Sequence, residues 1–463
     1  MKITLYGAAG DVTGSAYYVE TDSAKVLIDF GVFQGGKQAE TRNLKIPPIN
    51  IKLLDCVVLT HAHLDHTGRL PLLTKNGYHN PVYATPATIE MSALILLDSA
   101  KVKKLDMERS NRRRSRAGQA HIEPMYSSDD VTQVLKLFKP IPYNTPVPVA
   151  PGITIRAVEA GHILGSASIE LTADEKGKKK VVIFSGDLGP LGMAILKDPA
   201  PLPYADLVFL ESTYGDRDHR SLKETLVEGE AIIRQAVKDK GKILIPSFAV
   251  GRTQQLLYYL AAAFHAGNVP RFPVILDSPM AIEATKIYMK HPELYDEEAL
   301  ELEKSGELKT DLSHVTISTT PEESKALNDI GGPCMIIAGS GMCNAGRILH
   351  HLRHNLWMPE TSVIIVGYQA EGTLGRQLVD GAKTVRIFGE TISVKAQVHL
   401  LGGLSAHAGQ TDLLHWFDVV AGSRPRVVLS HGEDKGRKPL AGIISSRYGI
   451  TPILPEYGQV IEI

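Results

Sequence analysis

Three histidines and an aspartate lie within six positions of the segment LTHAHLDHTG, at His61, His63, Asp65 and His66. The apolar run CVVL leads into this segment, so a short buried strand is predicted to precede it. His61 and His63 then project to the same side of an extended chain, and Asp65 and His66 follow where the chain turns towards a helix. Zinc favours imidazole and carboxylate ligands, and one loop with this spacing can reach two adjacent ions. The fold must therefore present this loop where other strands can complete the site.

Two zinc ions need more ligands than this loop supplies, and polar side chains that follow later apolar runs are the candidates. His162 ends the run TIRAVEAGH, Asp187 ends KVVIFSGD, and His431 follows RPRVVLS. Each run is predicted to be a strand, so the three side chains can converge at one rim of a sheet. The predicted ligands are His61, His63, His162 and Asp187 for one zinc ion, and Asp65, His66, Asp187 and His431 for the other. Asp29, which closes KVLIDFG, is expected either to cap a turn or to orient one ligand imidazole.

A dinuclear zinc site predicts hydrolytic chemistry but leaves the substrate open. Two ions about 3.5 to 4 Å apart lower the pKa of a bridging water to near 7 and polarise the group under attack. This provides a hydroxide nucleophile without a separate strong base. The HxHxDH pattern serves thioesters, lactams and phosphodiesters alike, so the loop alone does not select among them.

Composition indicates a folded protein with more than one domain. The chain has 463 residues, 43% of them hydrophobic and 22% charged, and exceeds one ordinary hydrophobic core. Its formal net charge of −1 indicates no polyanionic partner, so a nucleic-acid site would need local charge or bound cations. Three scattered cysteines favour a reducing compartment, and no long apolar segment signals export or membrane insertion. The cytoplasm is therefore the expected location.

The rhythm of the predicted elements changes along the chain. The first third alternates short strands with turns, and a helix predicted from Ile89 to Leu105 or beyond runs into the basic segment ERSNRRRSRAG. That segment is either a solvated helix end or mobile loop, or a contact with an RNA backbone. From about 215 to 395, four units of strand, glycine loop and helix predict a parallel sheet flanked by helices. After residue 395 the pattern of the first part returns, with His407 and His431 again following apolar runs. This second domain is therefore expected to be inserted into the first.

The set Asp29, HAHLDH, His162 and Asp187 resembles the metallo-β-lactamase fold, an αββα sandwich with a dinuclear site at one edge. Later segments resemble the β-CASP family of nucleic-acid-processing enzymes: LESTYGDRDH, IPSFAVGRTQQLL, LDSPMA, AGSGMCNAGRILHHL, VGYQAEGTLGR, GGLSAHAGQ and VLSHGE. Among its members, the chain resembles the short bacterial and archaeal ribonucleases related to the endonuclease of eukaryotic mRNA 3′-end processing. The resemblance runs through the whole chain in order. It implies an α/β protein with a metallo-β-lactamase domain in residues 1–208 and 396–463 and an inserted β-CASP domain in residues 209–395.

The resemblance also implies roles for residues outside the metal loop. The family's motif A carboxylate falls on Glu211, its motif B histidine on His407 and its motif C histidine on His431. Members that act on RNA carry histidine at motif C, so single-stranded RNA is the expected partner and DNA is not. His407 is expected to act as a general acid held by Glu211, and Asp29 and Asp65 complete the predicted catalytic set.

The implied reaction is attack of a zinc-bound hydroxide on a phosphorus of single-stranded RNA, which leaves a 5′ phosphate. Ser405, Ser340 and Arg347 are candidates for contacts with substrate phosphates, and ordinary turn or packing contacts are the alternative. An endonuclease is favoured over a 5′-to-3′ exoribonuclease of the RNase J type, because the further C-terminal domain of that group is missing. A non-catalytic RNA-processing scaffold is disfavoured, because every matched ligand is present. No membrane partner is expected, and the sequence does not indicate an oligomeric state.

Overall fold

The computed structural model describes residues 1–306 and 314–463. In chain order the strands are β1 Lys2–Leu5, β2 Tyr17–Glu20, β3 Lys25–Ile28, β4 Cys56–Val58, β5 Val82–Ala84, β6 Phe138–Pro140, β7 Val147–Ala150, β8 Ile153–Glu159, β9 Ala167–Glu175, β10 Lys178–Phe184, β11 Leu207–Glu211, β12 Lys242–Pro246, β13 Val274–Leu276, β14 Val315–Ile317, β15 Cys334–Ala338, β16 Ser362–Ile365, β17 Thr384–Ile387, β18 Glu390–Ser393, β19 Gln397–Leu400, β20 Arg426–Ser430 and β21 Val460–Glu462.

The helices of the described ranges are α1 Gly36–Asn43, α2 Leu64–Thr67, α3 Leu70–Lys75, α4 Pro86–Arg116, α5 Ser128–Leu135, α6 Leu222–Lys238, α7 Arg252–His265, α8 Pro279–Lys290, α9 Glu297–Ser305, α10 Pro321–Ala326, α11 Ile348–Asn355, α12 Leu374–Val379, α13 Gln410–Ala421 and α14 Asp434–Tyr448. None of these helices combines the length and the hydropathy that crossing a bilayer requires.

The first of two compact units is a sandwich of two sheets. It comprises Met1–Gly192, Asp198–Asp218 and His407–Ile463. Its sheets have the strand orders β21-β1-β2-β3-β4-β5-β6 and β20-β11-β10-β9-β8-β7, and both contribute buried apolar side chains to one shared core. Helices α3, α4 and α5 cover the outer face of the first sheet, and α13 and α14 cover that of the second. The predicted αββα architecture is confirmed.

The second compact unit has a parallel sheet with helices on both faces. It comprises Met193–Lys197 and His219–Ala406. The strand order is β14-β13-β15-β12-β16-β19, and every neighbouring pair is parallel. Separate apolar cores lie on the two faces, and β17 and β18 form a small antiparallel pair. Parallel strands need crossover connections, and the repeated helices supply them. The sheet predicted from the four repeated units is confirmed.

The boundaries between the two compact units fall after Asp218 and before His407, later in the chain than the predicted boundaries after residues 208 and 395. Residues up to Asp218 stay with the sandwich because side chains of α13 hold them there. Gln410 Nε2 donates to Gly215 O at 2.7 Å, and Thr411 donates to the Asp218 carboxylate through its backbone N and its Oγ1, each at 2.7 Å. Glu211 and His407 consequently belong to the same unit.

Candidate metal centre and active site

The loop after β4 is fixed by backbone contacts on both sides. Ser15 N donates to Asp65 O at 2.8 Å, and Val32 N donates to Leu64 O at 2.8 Å. Gly31 packs so closely that a Cβ there would lie 1.5 Å from Asp65 O, which leaves no space for a side chain. The loop that carries the HxHxDH residues is therefore held in one arrangement by its neighbours.

The first group of candidate ligands consists of His61, His63, His162 and Asp187, whose donor atoms all lie within 4.8 Å of one another. His63 Nδ1 is 3.2 Å from His61 Nε2 and 3.1 Å from His162 Nε2, and Asp187 Oδ2 is 3.5 and 3.7 Å from the same two Nε2 atoms. A tetrahedral ion with ligands at 2.0 to 2.1 Å has ligand-to-ligand edges of about 3.3 Å. The four donors are therefore spaced as one four-coordinate divalent cation requires.

The second group consists of Asp65, His66, His431 and the same Asp187. His66 Nε2 is 3.3 Å from His431 Nε2 and 3.3 Å from Asp187 Oδ1, and His431 Nε2 is 3.5 Å from Asp65 Oδ2. These separations match the same tetrahedral edge. Asp187 thus offers one oxygen to each group, as a bridging carboxylate does.

Asp187 lies at the centre of the cluster, and both of its carboxylate oxygens are buried without a hydrogen bond from the described residues. Burial alone would raise the pKa of Asp187, but the imidazoles of His431, His66 and His61 hold that pKa well below its usual range. A buried carboxylate that stays ionised needs a positive partner. The donor set therefore fits a divalent metal site.

Not all of these side chains lie at the end of a strand, where the sequence predicted them. β8 ends at Glu159 and β10 at Phe184, so His162 and Asp187 stand in the turns that follow. His431 follows the last residue of β20 with φ of 47°, whereas Glu211 is the last residue of β11. Irregular backbone just beyond a strand allows the side chains to turn towards a common point.

Asp29 holds one imidazole of the second group from behind. It follows β3 with φ of 57°, and its Oδ2 lies 2.8 Å from His66 Nδ1. Thr60 donates to the same carboxylate twice, through its backbone N and its Oγ1, each at 2.8 Å. The carboxylate directs His66 Nε2 towards the cluster, which is the orienting contact predicted as one alternative for Asp29.

Glu211 and His407 form a third group with Asp187. Glu211 is buried, and its Oε1 accepts a hydrogen bond from Leu188 N at 2.8 Å and lies 3.4 Å from His407 Nδ1. Burial alone would lower the pKa of His407, but the charge and the hydrogen bond of the Glu211 carboxylate outweigh burial and raise this pKa to about 9. The His407 side chain is 24% exposed, whereas the neighbouring Glu211 and Asp187 carboxylates are buried.

The candidates for phosphate contacts lie in the second unit. Ser340 Oγ donates to Ala345 O at 3.2 Å and accepts from the backbone N of Asn344 and of Ala345. The Arg347 guanidinium donates to Asp277 Oδ1 at 2.7 Å and to the carbonyl oxygens of two neighbouring residues. Both side chains thus make contacts within their own unit. Phosphate binding by Ser405, Ser340 and Arg347 stays a prediction.

Asp277 is expected to make the second unit sensitive to acid. Its carboxylate is buried between Arg347, His351 and Ser324; burial opposes its charge, but these hydrogen bonds lower its pKa to about 2. Because the folded pKa lies below the unfolded value of about 3.9, this stabilisation is present above pH 4 and is lost as the pH falls towards 2. Asp277→Asn should lower the free energy of unfolding by about 3 kcal/mol at pH 7, since it leaves Arg347 without its partner.

Urea unfolding at pH 7, 5, 3 and 2 measures this effect, with the exposed Asp239→Asn as control. The gap between Asp277→Asn and the unsubstituted chain should narrow as the pH falls. A gap that stays constant over this range would exclude the ionised carboxylate as the stabilising group.

Two threonines support the cluster and were not predicted. Thr60 precedes His61 and contacts Asp29, and Thr213 Oγ1 lies 3.1 Å from His431 Nδ1. Both lie within two residues of a predicted site residue, so their position in the sequence could have indicated a supporting role for their hydroxyl groups.

Arg69 also supports the site, and the sequence offers no sign of it. Its guanidinium is fully buried, lies 4.3 Å from the Phe30 ring centroid and donates from Nε to Gly31 O. Burial lowers the pKa of Arg69 to about 9. An arginine within the apolar run GRLPLL gives no indication that its charge will be enclosed.

The fold and the cluster define a metal-dependent hydrolase of the metallo-β-lactamase superfamily. Three family models match the chain: a metallo-beta-lactamase superfamily domain over residues 18–185, a Beta-Casp domain over 253–378 and a Zn-dependent metallo-hydrolase RNA specificity domain over 391–455. Ribonuclease TTHA0252 of Thermus thermophilus is 38% identical over 463 residues, which covers 100% of both chains. The chain belongs to the β-CASP family of metallo-β-lactamase-fold ribonucleases, in its short form, and the resemblance found in the motifs is confirmed.

Other similar proteins differ in name and in length. Transcription termination factor FttA of Methanosarcina mazei is 31% identical over 461 residues, which cover 97% of this chain and 70% of that protein. A crystal structure of an Enterococcus faecalis protein aligns with a TM-score of 0.56 at 15% identity, covering 100% of this chain and 99% of the other. That second likeness concerns the fold alone.

Proposed function

We propose that this chain is a zinc-dependent ribonuclease that hydrolyses phosphodiester bonds within single-stranded RNA. The observation that carries the proposal is the position of His407, whose Nδ1 is 3.4 Å from Glu211 Oε1 and 3.9 Å from Asp187 Oδ2. A cationic imidazole beside a metal site suits the expulsion of an alkoxide, the poor leaving group of a phosphodiester. The similarity to a protein named a ribonuclease and the match to an RNA specificity domain support RNA as the substrate.

Two zinc ions are the cofactors that the donor set supports best. One group offers three imidazoles and a carboxylate, the other two imidazoles and two carboxylates, and Asp187 belongs to both. These ligand types and the spacing of their atoms suit four-coordinate zinc better than the all-oxygen, six-coordinate sites of magnesium. When bound, the ions would activate a water molecule and neutralise charge on the phosphoryl oxygens.

The side chains around the cluster would carry the proton and orientation steps. In the proposed reaction a water oxygen bonds to phosphorus, and the bond from phosphorus to the ribose 3′ oxygen breaks. His407 donates a ring proton to the departing 3′ oxygen, while Glu211 holds the imidazole charged until the transfer. The proton lost by the water passes to solvent. The products are a 5′ phosphate and a 3′ hydroxyl, and Asp29 keeps His66 in position throughout.

The endonucleolytic mode rests on the motif resemblance, and a 5′-to-3′ exoribonuclease is the alternative. Both use the same bond cleavage, so the cluster supports each equally. RNA is preferred to DNA because motif C carries His431. A non-catalytic scaffold is disfavoured because the described residues bring the two candidate ligand groups together. The cytoplasmic location stays a prediction.

One experiment tests this function directly. Purified zinc-loaded protein is incubated with end-labelled single-stranded RNA and DNA that carry 5′ hydroxyl, monophosphate or triphosphate ends. Internal RNA products that do not depend on the 5′ end are expected. Mononucleotides from monophosphorylated RNA alone would establish the exonuclease instead, and intact RNA under all conditions would overturn the ribonuclease proposal.

A further inference from the structure

The second half of α4 carries a dense positive charge at a distance from the metal centre. From Lys101 to Arg116, eight of sixteen residues are lysine or arginine and two are acidic, which gives a local charge of +6 in a chain of net charge −1. The buried residues of this helix lie between Ala87 and Ala100. The charged half therefore continues the helix beyond the part that packs against the sandwich.

The charges are arranged on one side of this extension. Lys103, Met107, Ser110, Asn111 and Arg114 are half-buried and recur every three or four residues, so they form the side that faces the protein. The exposed remainder of this part of the helix, which we call the outer face of α4, presents two carboxylates, Asp106 and Glu108, and six cations: Lys101, Lys104, Arg109, Arg112, Arg113 and Arg116.

These cations outnumber the carboxylates near them, Asp98, Asp106 and Glu108, within the part of the chain that the structure describes. Arg109 is paired with Asp106 at 3.6 Å, and no carboxylate lies within 4.0 Å of the charged nitrogens of the other five. Arginines three or four positions apart on a helix repel one another, and the C-terminal position of these residues offsets only part of that cost. A polyanion along the outer face would remove the repulsion.

The end of the helix is held in place, so the charges have a fixed geometry. Asn111 exchanges two hydrogen bonds with the backbone of Ile122, each at 2.9 Å, and Arg114 Nε donates to Ala120 O at 2.6 Å. The returning chain therefore supports the inner side of the helix and leaves the outer face open.

The start of α4 is attached to the loop that carries His162. Thr85 Oγ1 and Thr88 Oγ1 both donate to Gly165 O at 2.7 Å, three residues after that histidine. At a rise of 1.5 Å per residue, Lys101 lies about 20 Å and Arg116 about 42 Å from Thr88 along the helix axis. The helix thus connects the metal centre to the outer cations.

We propose that the outer face of α4 binds the phosphate backbone of the RNA strand that is cut at the metal centre. The inference rests on the proposed ribonuclease function. Arginine suits phosphate because its planar donors match the phosphate oxygens. A stacked strand rises about 3.4 Å per nucleotide, so about six nucleotides span the length from Thr88 to Lys101 and about twelve span that from Thr88 to Arg116. RNA of five nucleotides is too short to extend from the start of α4 to Arg112, Arg113 or Arg116, whereas RNA of thirty nucleotides can occupy the whole outer face.

The test removes three of the charges. Arg112→Gln, Arg113→Gln and Arg116→Gln are combined, because glutamine keeps the helix propensity of arginine. The matched control removes three exposed lysines elsewhere in the same unit, Lys2→Gln, Lys178→Gln and Lys179→Gln. Fluorescence anisotropy gives the Kd for a thirty-nucleotide RNA between 50 and 200 mM salt, in a His407→Asn background whose turnover is expected to be lower by about 10² to 10⁴-fold. Cleavage of five- and thirty-nucleotide RNA is compared with His407 present.

The triple variant should bind the long RNA at least tenfold more weakly at 0.15 M salt. The salt slope, which is the slope of log Kd against log salt concentration, should be smaller by about 2, because each lost phosphate contact removes about 0.7. Its loss of kcat/KM should be at least tenfold greater for the long RNA than for the short one. Arg116→Gln alone, at the last residue of the helix, should reduce the slope by about 0.7.

A Kd and a salt slope equal to those of the control variant would overturn the proposal. Equal losses on short and long RNA would also overturn it, since they indicate a disturbed fold or centre. Binding to vesicles that contain phosphatidylserine, lost in the triple variant while RNA binding persists, would assign the face to a membrane instead. If the unsubstituted chain cuts no RNA of either length, the ribonuclease function fails, and the anisotropy measurements still decide the role of the outer face.

Discussion

Asp187→Asn is expected to abolish RNA hydrolysis, with a fall in turnover of about 10³-fold or more. Asparagine keeps the shape of the side chain but removes the charge that both ligand groups share, so the facing imidazoles lose their common counter-ion. Metal content, measured by inductively coupled plasma mass spectrometry, should fall below half of that in the unsubstituted chain. Circular dichroism should show the same secondary structure, because the carboxylate accepts no hydrogen bond from the described residues.

The exposed Asp22→Asn is the matched control for this prediction, and it should keep full metal content and activity. An Asp187→Asn protein that still holds two zinc ions per chain would contradict the bridging assignment. Full activity with a lower metal content would show that one group of ligands suffices for hydrolysis.

His407→Asn is expected to retain zinc and to lose most of its cleavage activity. The imidazole is outside both predicted ligand groups, so metal binding should persist, whereas loss of a general acid lowers turnover by about 10² to 10⁴-fold. Glu211→Gln should lower turnover less than His407→Asn, because the imidazole remains but loses the charge that stabilises its cationic form. Metal analysis measures whether each variant retains zinc, and single-turnover cleavage of a labelled RNA measures how far its turnover falls.

The control is His415→Asn, an exposed histidine of α13 in the same unit. It should match the unsubstituted chain in both measurements. If His407→Asn turns over at the normal rate, His407 has no part in the proton transfer. If it loses zinc, the residue acts as a ligand and the assignment of the general acid is wrong.

The residues of the candidate centre could be predicted because metal sites impose residue types and spacing that packing does not. HxHxDH, His162, Asp187 and His431 stand out as polar residues beside apolar runs, and the structure brings all of them together. Arg69 could not be predicted, since the apolar residues around it suggest only an ordinary buried helix. Its enclosure depends on the rings of Phe30 and Phe33 and on the carbonyl oxygens of Gly14 and Gly31, which come from other parts of the chain.

The long helix α4 shows a different limit of sequence analysis. Apolar periodicity predicted it from about Ile89 to Leu105 or beyond without fixing its end, and it runs from Pro86 to Arg116. Apolar periodicity reports a buried face, and the last sixteen residues of the helix have little of one. Helix propensity and the contacts of Asn111 and Arg114 sustain that part instead, and such contacts depend on where the returning chain lies.

The pairing of β11 with β20 joins segments that are far apart in the order of synthesis. Ser212 Oγ donates to Ser430 O across 218 positions, and the residues between them include the whole of the longer segment of the second unit. At 5 to 20 residues per second, a ribosome needs roughly 10 to 40 s to make that stretch. His431 does not yet exist during this time, and His407 is made only near its end. The nascent chain therefore carries the metal loop before all of its predicted partners have been made, and the candidate centre is complete only after β20 has been synthesised.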